Sequence, residues 1–139
     1  MKIEPLVFNH LKTNHTSFEV DFKLDNNLTF IIGDSGTGKS MVYSFLQELS
    51  AEDNRIKCFN YLDQKKQYKN SIKKFHGKLI VIDNADLLLD DNMRWYIATD
   101  CKNQYIIIGR NPTGLMLQQD EIVELCSETV EGKTKLWLA

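Results

Sequence analysis

"FIIGDSGTGKSM", residues 30–41, is the stretch whose reading decides the fold. Three apolar residues run into a segment that carries Gly33, Gly36, Gly38, Lys39 and Ser40. Glycine reaches backbone conformations closed to other residues, so successive N–H groups can turn inward around an anion. A helix starting at the end of such a loop adds its positive amino terminus. Val42, Phe45, Leu46 and Leu49, spaced three and four apart, predict that helix over 40–50. Before the loop, Leu28–Ile32 reads as a strand introduced by the turn signal "DNN" at 25–27. Strand, glycine loop and helix together form a phosphate-holding unit rather than a loose turn.

Outward from that unit, strands and helices alternate. "RIKCFN" (55–60), "KLIVID" (78–83) and "QYIIIG" (104–109) read as strands, the second a continuous apolar run ending in Asp and the third likewise fully buried. Residues 64–75 and 86–98 read as helices. At the N-terminus, 3–8 and 17–24 read as a pair of strands, with Phe18, Val20, Phe22 and Leu24 on one face and a polar connection between them. Residues 120–138 read as a second hairpin turning at "EGK". The expected fold class is α/β: a mostly parallel sheet flanked by helices over 28–110, with antiparallel hairpins at the N-terminus (1–24) and C-terminus (120–138). All of it falls in one domain, 1–139. Ligands in parallel sheets gather at the carboxyl ends of the strands. Here those ends carry the glycine loop, Asp83 and Arg110.

Composition sets the bounds. Apolar residues at 42% and charged residues at 26% match globular averages and exclude a disordered or collagen-like chain. A net charge of −2 points away from a strongly nucleic-acid-binding or membrane-surface protein. Cys58, Cys101 and Cys126 are odd in number and widely spaced, which suits reduced thiols better than a disulfide framework or a zinc site. With neither a signal-peptide core nor a transmembrane run, the expected setting is the cytoplasm, with no membrane contact.

"GDSGTGKS" matches G-x-x-x-x-G-K-[ST] throughout and resembles the Walker A motif of P-loop NTPases; "LIVID" at 79–83 resembles their Walker B strand. The resemblance covers about residues 28–110. It implies that Gly33, Asp34, Ser35, Gly36, Thr37, Gly38, Lys39, Ser40 and Met41 cradle the phosphates of ATP, with Lys39 reaching the β- and γ-phosphates. It implies Mg2+ held by Ser40 and Asp83. A strand intervening between the two motifs resembles the additional-strand branch, which includes AAA+-like ATPases, and Arg110 stands where that branch places a sensor residue. The chain has no LSGGQ-like signature, no N-K-x-D guanine-reading motif and no helical lid after residue 111. ABC transporter ATPases are thereby excluded, and ATP is favoured over GTP.

The sharpest departure is Asn84, where the branch usually has a glutamate that polarises water. An amide can orient water by hydrogen bonding but cannot take its proton. Asp86 either substitutes for that carboxylate or N-caps the 86–98 helix. Arg110 either stabilises transition-state charge or simply begins the "RNPTG" loop. The expected function is therefore Mg2+-dependent ATP binding with slow or partner-regulated hydrolysis, the partner being another protein or a second copy of the chain. The alternatives are a non-hydrolysing nucleotide switch for a protein or DNA partner, and a small-molecule kinase. The stretch from Lys65 to Lys78, with six lysines, His76, Tyr68 and Phe75 and no acid, allows sequence-independent nucleic-acid contact. It reads more simply as an amphipathic helix with its lysines in water. Trp95 and Trp137 read as core or interface anchors.

Overall fold

The computed structural model describes residues 4–14, 18–32, 39–63 and 67–139. Among them the strands are β1 (His10–Asn14), β2 (Phe18–Lys23), β3 (Leu28–Ile32), β4 (Ile56–Phe59), β5 (Leu79–Ile82), β6 (Gln104–Gly109), β7 (Ile122–Val130) and β8 (Lys133–Leu138). The α-helices are α1 (Lys39–Glu52), α2 (Tyr68–Lys74), α3 (Ala85–Leu88) and α4 (Asp91–Thr99). The eight strands form one sheet in the order β1-β2-β8-β7-β3-β6-β5-β4. No helix among the described residues is long and apolar enough to cross a membrane.

This corrects the expected α/β architecture of a mostly parallel, helix-flanked sheet with hairpins at its two ends. The molecule is instead a single curled, mixed half-barrel in which strands outweigh short helices. Pairs β1–β2 and β7–β8 are antiparallel, whereas β2–β8, β7–β3, β3–β6, β6–β5 and β5–β4 are parallel. The physical reason lies in the apolar faces of the two hairpins. Val20, Phe22 and Leu24 of the first, and Leu125 and Leu136 of the second, bury in the same cluster as Ile31, Val81 and Ile106. Satisfying that burial draws β8 between β2 and β7, so the terminal hairpins become part of the sheet. The β7–β8 turn itself is local chemistry: Glu131 and Gly132 both have positive φ, 53° and 78°, the geometry of a type I′ two-residue turn.

Both faces of the middle strands are covered, as their unbroken apolar runs require. Ile31, Leu79, Val81, Ile106 and Ile108 face α1 through Val42, Phe45 and Leu46. Phe30, Ile80, Ile82, Tyr105 and Ile107 face the side chains of α2, α3 and α4, among them Tyr68, Ile72, Met93 and Ile97. The two-residue alternation of a strand thus splits each run between two cores.

Two local expectations fail for identifiable reasons. Residues 4–8 form no strand; the strand that pairs with β2 is His10–Asn14, within the segment expected to be a polar connection. The N–H groups of Val7 and Phe8 donate instead to Gln104 Oε1 (2.9 and 2.8 Å), and that of Leu6 to Asn27 Oδ1 (2.9 Å). Gln104 is fully buried and returns a bond from Nε2 to Phe8 O at 2.7 Å, which pins the segment to the amino edge of the sheet. The helix expected over 86–98 is two helices, because Asp90 takes an extended backbone and accepts a bond from Met93 N at 2.8 Å on Oδ1. Asp90 is also paired with Lys69, the first cause of its lowered pKa, with the Met93 N–H second. Asp90→Ala should therefore cost about 1 kcal/mol, measured by urea unfolding. A variant as stable as the parent would show that the break at Leu89 does not depend on this cap.

Candidate functional site

The registers of β3, β5 and β6 place three strand ends together. Ile32 is level with Gly109, and Ile82 with Ile107, so Asp83 and Arg110 leave the sheet on the edge where residue 33 follows β3. Residues Gly33 to Gly38 lie outside the described residues. Lys39 and Ser40 open α1, and Met41 in its first turn is 37% exposed.

Asp83 is half-buried, its N–H donating to Phe59 O at 2.9 Å, which ties the end of β5 to β4. Its Oδ1 accepts the N–H of Asn84 at 2.9 Å. The α1 helix lies close enough for charge to be felt across the site. Tyr43 is pushed well above the usual phenol pKa, first by burial and then by its ionisable neighbours Cys58, Asp63 and Asp83. It stays a neutral donor at any ordinary pH.

Asn84 has φ 51° and ψ 45°, the left-handed conformation, and occupies the N-cap position of α3 without a side-chain cap bond. Asparagine adopts this backbone readily, whereas glutamate pays roughly 1 kcal/mol for it. The turn after Asp83 thus accounts for an amide at a position where the resemblance calls for a carboxylate. The Asn84 side chain is exposed.

Asp86 does not N-cap the helix over which it was expected; Asp90 does that for α4. Instead both Asp86 oxygens reach across to the turn after β6. Oδ2 accepts Arg110 N at 2.8 Å and Oδ1 accepts Asn111 N at 3.0 Å. Close approach at Gly109 makes this possible, since a Cβ there would sit 3.2 Å from Asp86 Oδ1, 3.3 Å from Phe30 and 3.4 Å from Ala85. Arg94, which sequence reasoning passed over, completes the clamp. Its Nη1 donates to Asn111 O at 2.7 Å and Thr113 O at 2.8 Å, and its Nη2 lies 3.5 Å from Asp86 Oδ1. At Gly114, whose φ is 84°, a Cβ would meet the Arg94 stem at 3.5 Å. Arg94 is 6% exposed, so a buried guanidinium and a carboxylate hold the loop from both sides. The only sequence signal was an arginine flanked by apolar Met93 and Trp95.

Chemically, the edge brings one carboxylate (Asp83), one exposed amide (Asn84) and one exposed arginine (Arg110) around the end of β3. Asp86 is occupied as a positioning group rather than available as a proton acceptor. Among the described residues no group of three or more His, Cys, Asp and Glu side chains gathers as a metal cage. No protein-family model matches the chain, and no curated protein matches it.

Proposed function

We propose that this edge binds ATP with magnesium, and that hydrolysis is slow or depends on a partner protein. One observation supports the reading: the parallel registers of β3, β5 and β6 bring the carboxyl ends of these strands, which Asp83 and Arg110 follow, to a single edge, and it is from the β3 end that the chain continues into the glycine segment. In this reading the 33–39 backbone N–H groups and the Lys39 ammonium hold the phosphates, with Met41 at the start of the supporting helix. The donors fit the metal: magnesium takes hard oxygen ligands, uses one or two from protein, and fills the rest from phosphate and water. Ser40 and Asp83 supply such oxygens, so a dedicated cage is not required. When bound, the ion neutralises phosphate charge. Asn84 orients water without accepting its proton, and Arg110 stands at the strand end where γ-phosphate charge would be met.

The test is calorimetric titration with MgATP and MgGTP, together with phosphate release. MgATP should bind and MgGTP more weakly; absence of any heat with MgATP at protein concentrations that detect weak binding rejects the reading. Asn84→Glu should raise phosphate release by about 100-fold, the lower end of general-base contributions. It should also lower stability by about 1 kcal/mol through the left-handed backbone. A second reading follows from Asp86 being engaged and Asn84 being an amide: the chain acts as a nucleotide-dependent switch. ATP binding with no phosphate release, in both the parent and Asn84→Glu, would select the switch.

A further inference from the structure

The lysines of α2 do not stand alone in the folded molecule. Lys73 and Lys102, one on α2 and one before β6, approach the same ring: their ammonium groups lie 5.7 and 5.8 Å from the centre of Tyr96. Lys102 also donates to the Tyr96 hydroxyl at 3.2 Å. Lys57, on the neighbouring edge strand β4, lies 5.9 Å above Phe75. The Phe75 carbonyl is bonded to Asn103 Nδ2, and Asn103 Oδ1 holds the N–H of Lys78 at 3.1 Å. Four elements thus contribute to one basic surface, completed by the exposed Lys74 on α2.

The acids nearby bond chiefly to other side chains, with Asp53 and Asp100 acting on the Lys78 and Lys102 ammonium groups only through their charge. Asp53 is held by Arg55, Asp90 by Lys69, and Asp100 accepts from the side chains of Asn103 and Tyr105. Among the described residues, Lys57, Lys73, Lys74, Lys78 and Lys102 make no salt bridge. Five ammonium groups outside any salt bridge among the described residues, on a chain of net charge −2, mean that charge is segregated, not merely abundant. The residue before Tyr96 on α4, Trp95, is 63% exposed, which leaves an indole ring accessible to a ligand.

We propose that this surface binds single-stranded nucleic acid, the lysines contacting phosphates and Trp95 offering a face on which a base stacks. Lysines without arginine serve phosphate contact rather than base reading, so the binding is independent of sequence. A strand with unpaired bases fits better than a duplex, because an exposed indole has nothing to stack on in paired DNA. The surface is separate from the carboxyl edge of β3, β5 and β6 and needs no nucleotide.

The experiment follows fluorescence anisotropy of a labelled thymidine oligomer of about 20 nucleotides on the full chain, without ATP. If three or four of the lysines meet phosphates, affinity should fall roughly 20- to 50-fold between about 50 and 200 mM salt. The double variant Lys73→Gln, Lys102→Gln should weaken binding and flatten the log–log salt slope by about 1.4. Trp95→Ala should weaken binding by about tenfold while leaving that slope unchanged. In a Trp137→Phe background, the emission of Trp95 should be quenched as the strand is added. Circular dichroism of each variant confirms that the fold is kept. A duplex bound as tightly as the single strand, a double variant with unchanged affinity and slope, or no anisotropy change at low salt would each overturn the proposal.

Discussion

Arg94→Met should lower the free energy of unfolding by about 3 kcal/mol and release the 110–114 loop. The side chain is 8% exposed, so its guanidinium gives up most of its hydration to reach Asn111 O, Thr113 O and Asp86. Charge-assisted bonds contribute about 1.5–3 kcal/mol each, but Asn111 and Thr113 are exposed and water can partly replace the lost donor. Asp86 is 33% exposed and adds little as a screened partner. Two bonds discounted in this way leave about 3 kcal/mol. Methionine keeps the apolar stem beside Gly114, so the loss reports the guanidinium rather than a cavity. Arg94→Lys should fall between the two, since a point charge cannot serve both carbonyls and a carboxylate in one plane. Hydrogen exchange separates loop from global effects: the amides of Arg110 and Asn111, bonded to Asp86, should lose protection before those of β6. Unfolding shifted by under about 1 kcal/mol, with Arg110 and Asn111 still protected, would show that the loop holds without the clamp.

What could be read from the sequence follows the range of the forces involved. Strands β3, β5 and β6 were legible because each is a short apolar run closed by a turn or a polar residue, and two-sided burial needs nothing else. The β7–β8 turn was legible because Glu131-Gly132 is a local conformational choice. The course of residues 4–8 was not: their apolar pattern suggests a strand, yet their N–H groups go to Asn27 and to Gln104, some 97 positions from Val7. Insertion of β8 between β2 and β7, which turned two separate hairpins into a half-barrel, has no local signature either. At the candidate site, Asp83 and Arg110 were placed by strand ends alone. The clamp was hidden because an arginine on an amphipathic helix reads as surface, and only the fold shows Arg94 pointing at carbonyls. Trp95 erred in the other direction: size suggested core, but Met93, Arg94 and Ile97 take the buried face of α4 and leave the indole outside. Trp137, at 38% exposed, is likewise no core anchor.

Lys39→Ala should weaken MgATP binding by at least about 100-fold, measured by calorimetry, with the stability of the free protein unchanged. The magnitude comes from removing one cation opposite a multiply charged phosphate chain. Truncating one partner of such a bonded pair costs about 2–5 kcal/mol, and a hundredfold corresponds to about 2.7 kcal/mol. The stability half of the expectation rests on position: residue 39 is the first of α1, and alanine is the best helix former. Binding loss without destabilisation therefore separates a ligand contact from a structural lysine. Asp83→Asn provides the complementary arm, since it removes the carboxylate suited to magnesium while keeping shape. It should abolish the difference between titrations made with and without the metal and leave metal-free ATP binding nearly intact. If Lys39→Ala binds MgATP as tightly as the parent, phosphate is not held at residues 33–40, and the edge of β3, β5 and β6 loses its assignment. That outcome would leave the lysine surface around Tyr96 untouched, because the two sites share no residue and are tested with different ligands.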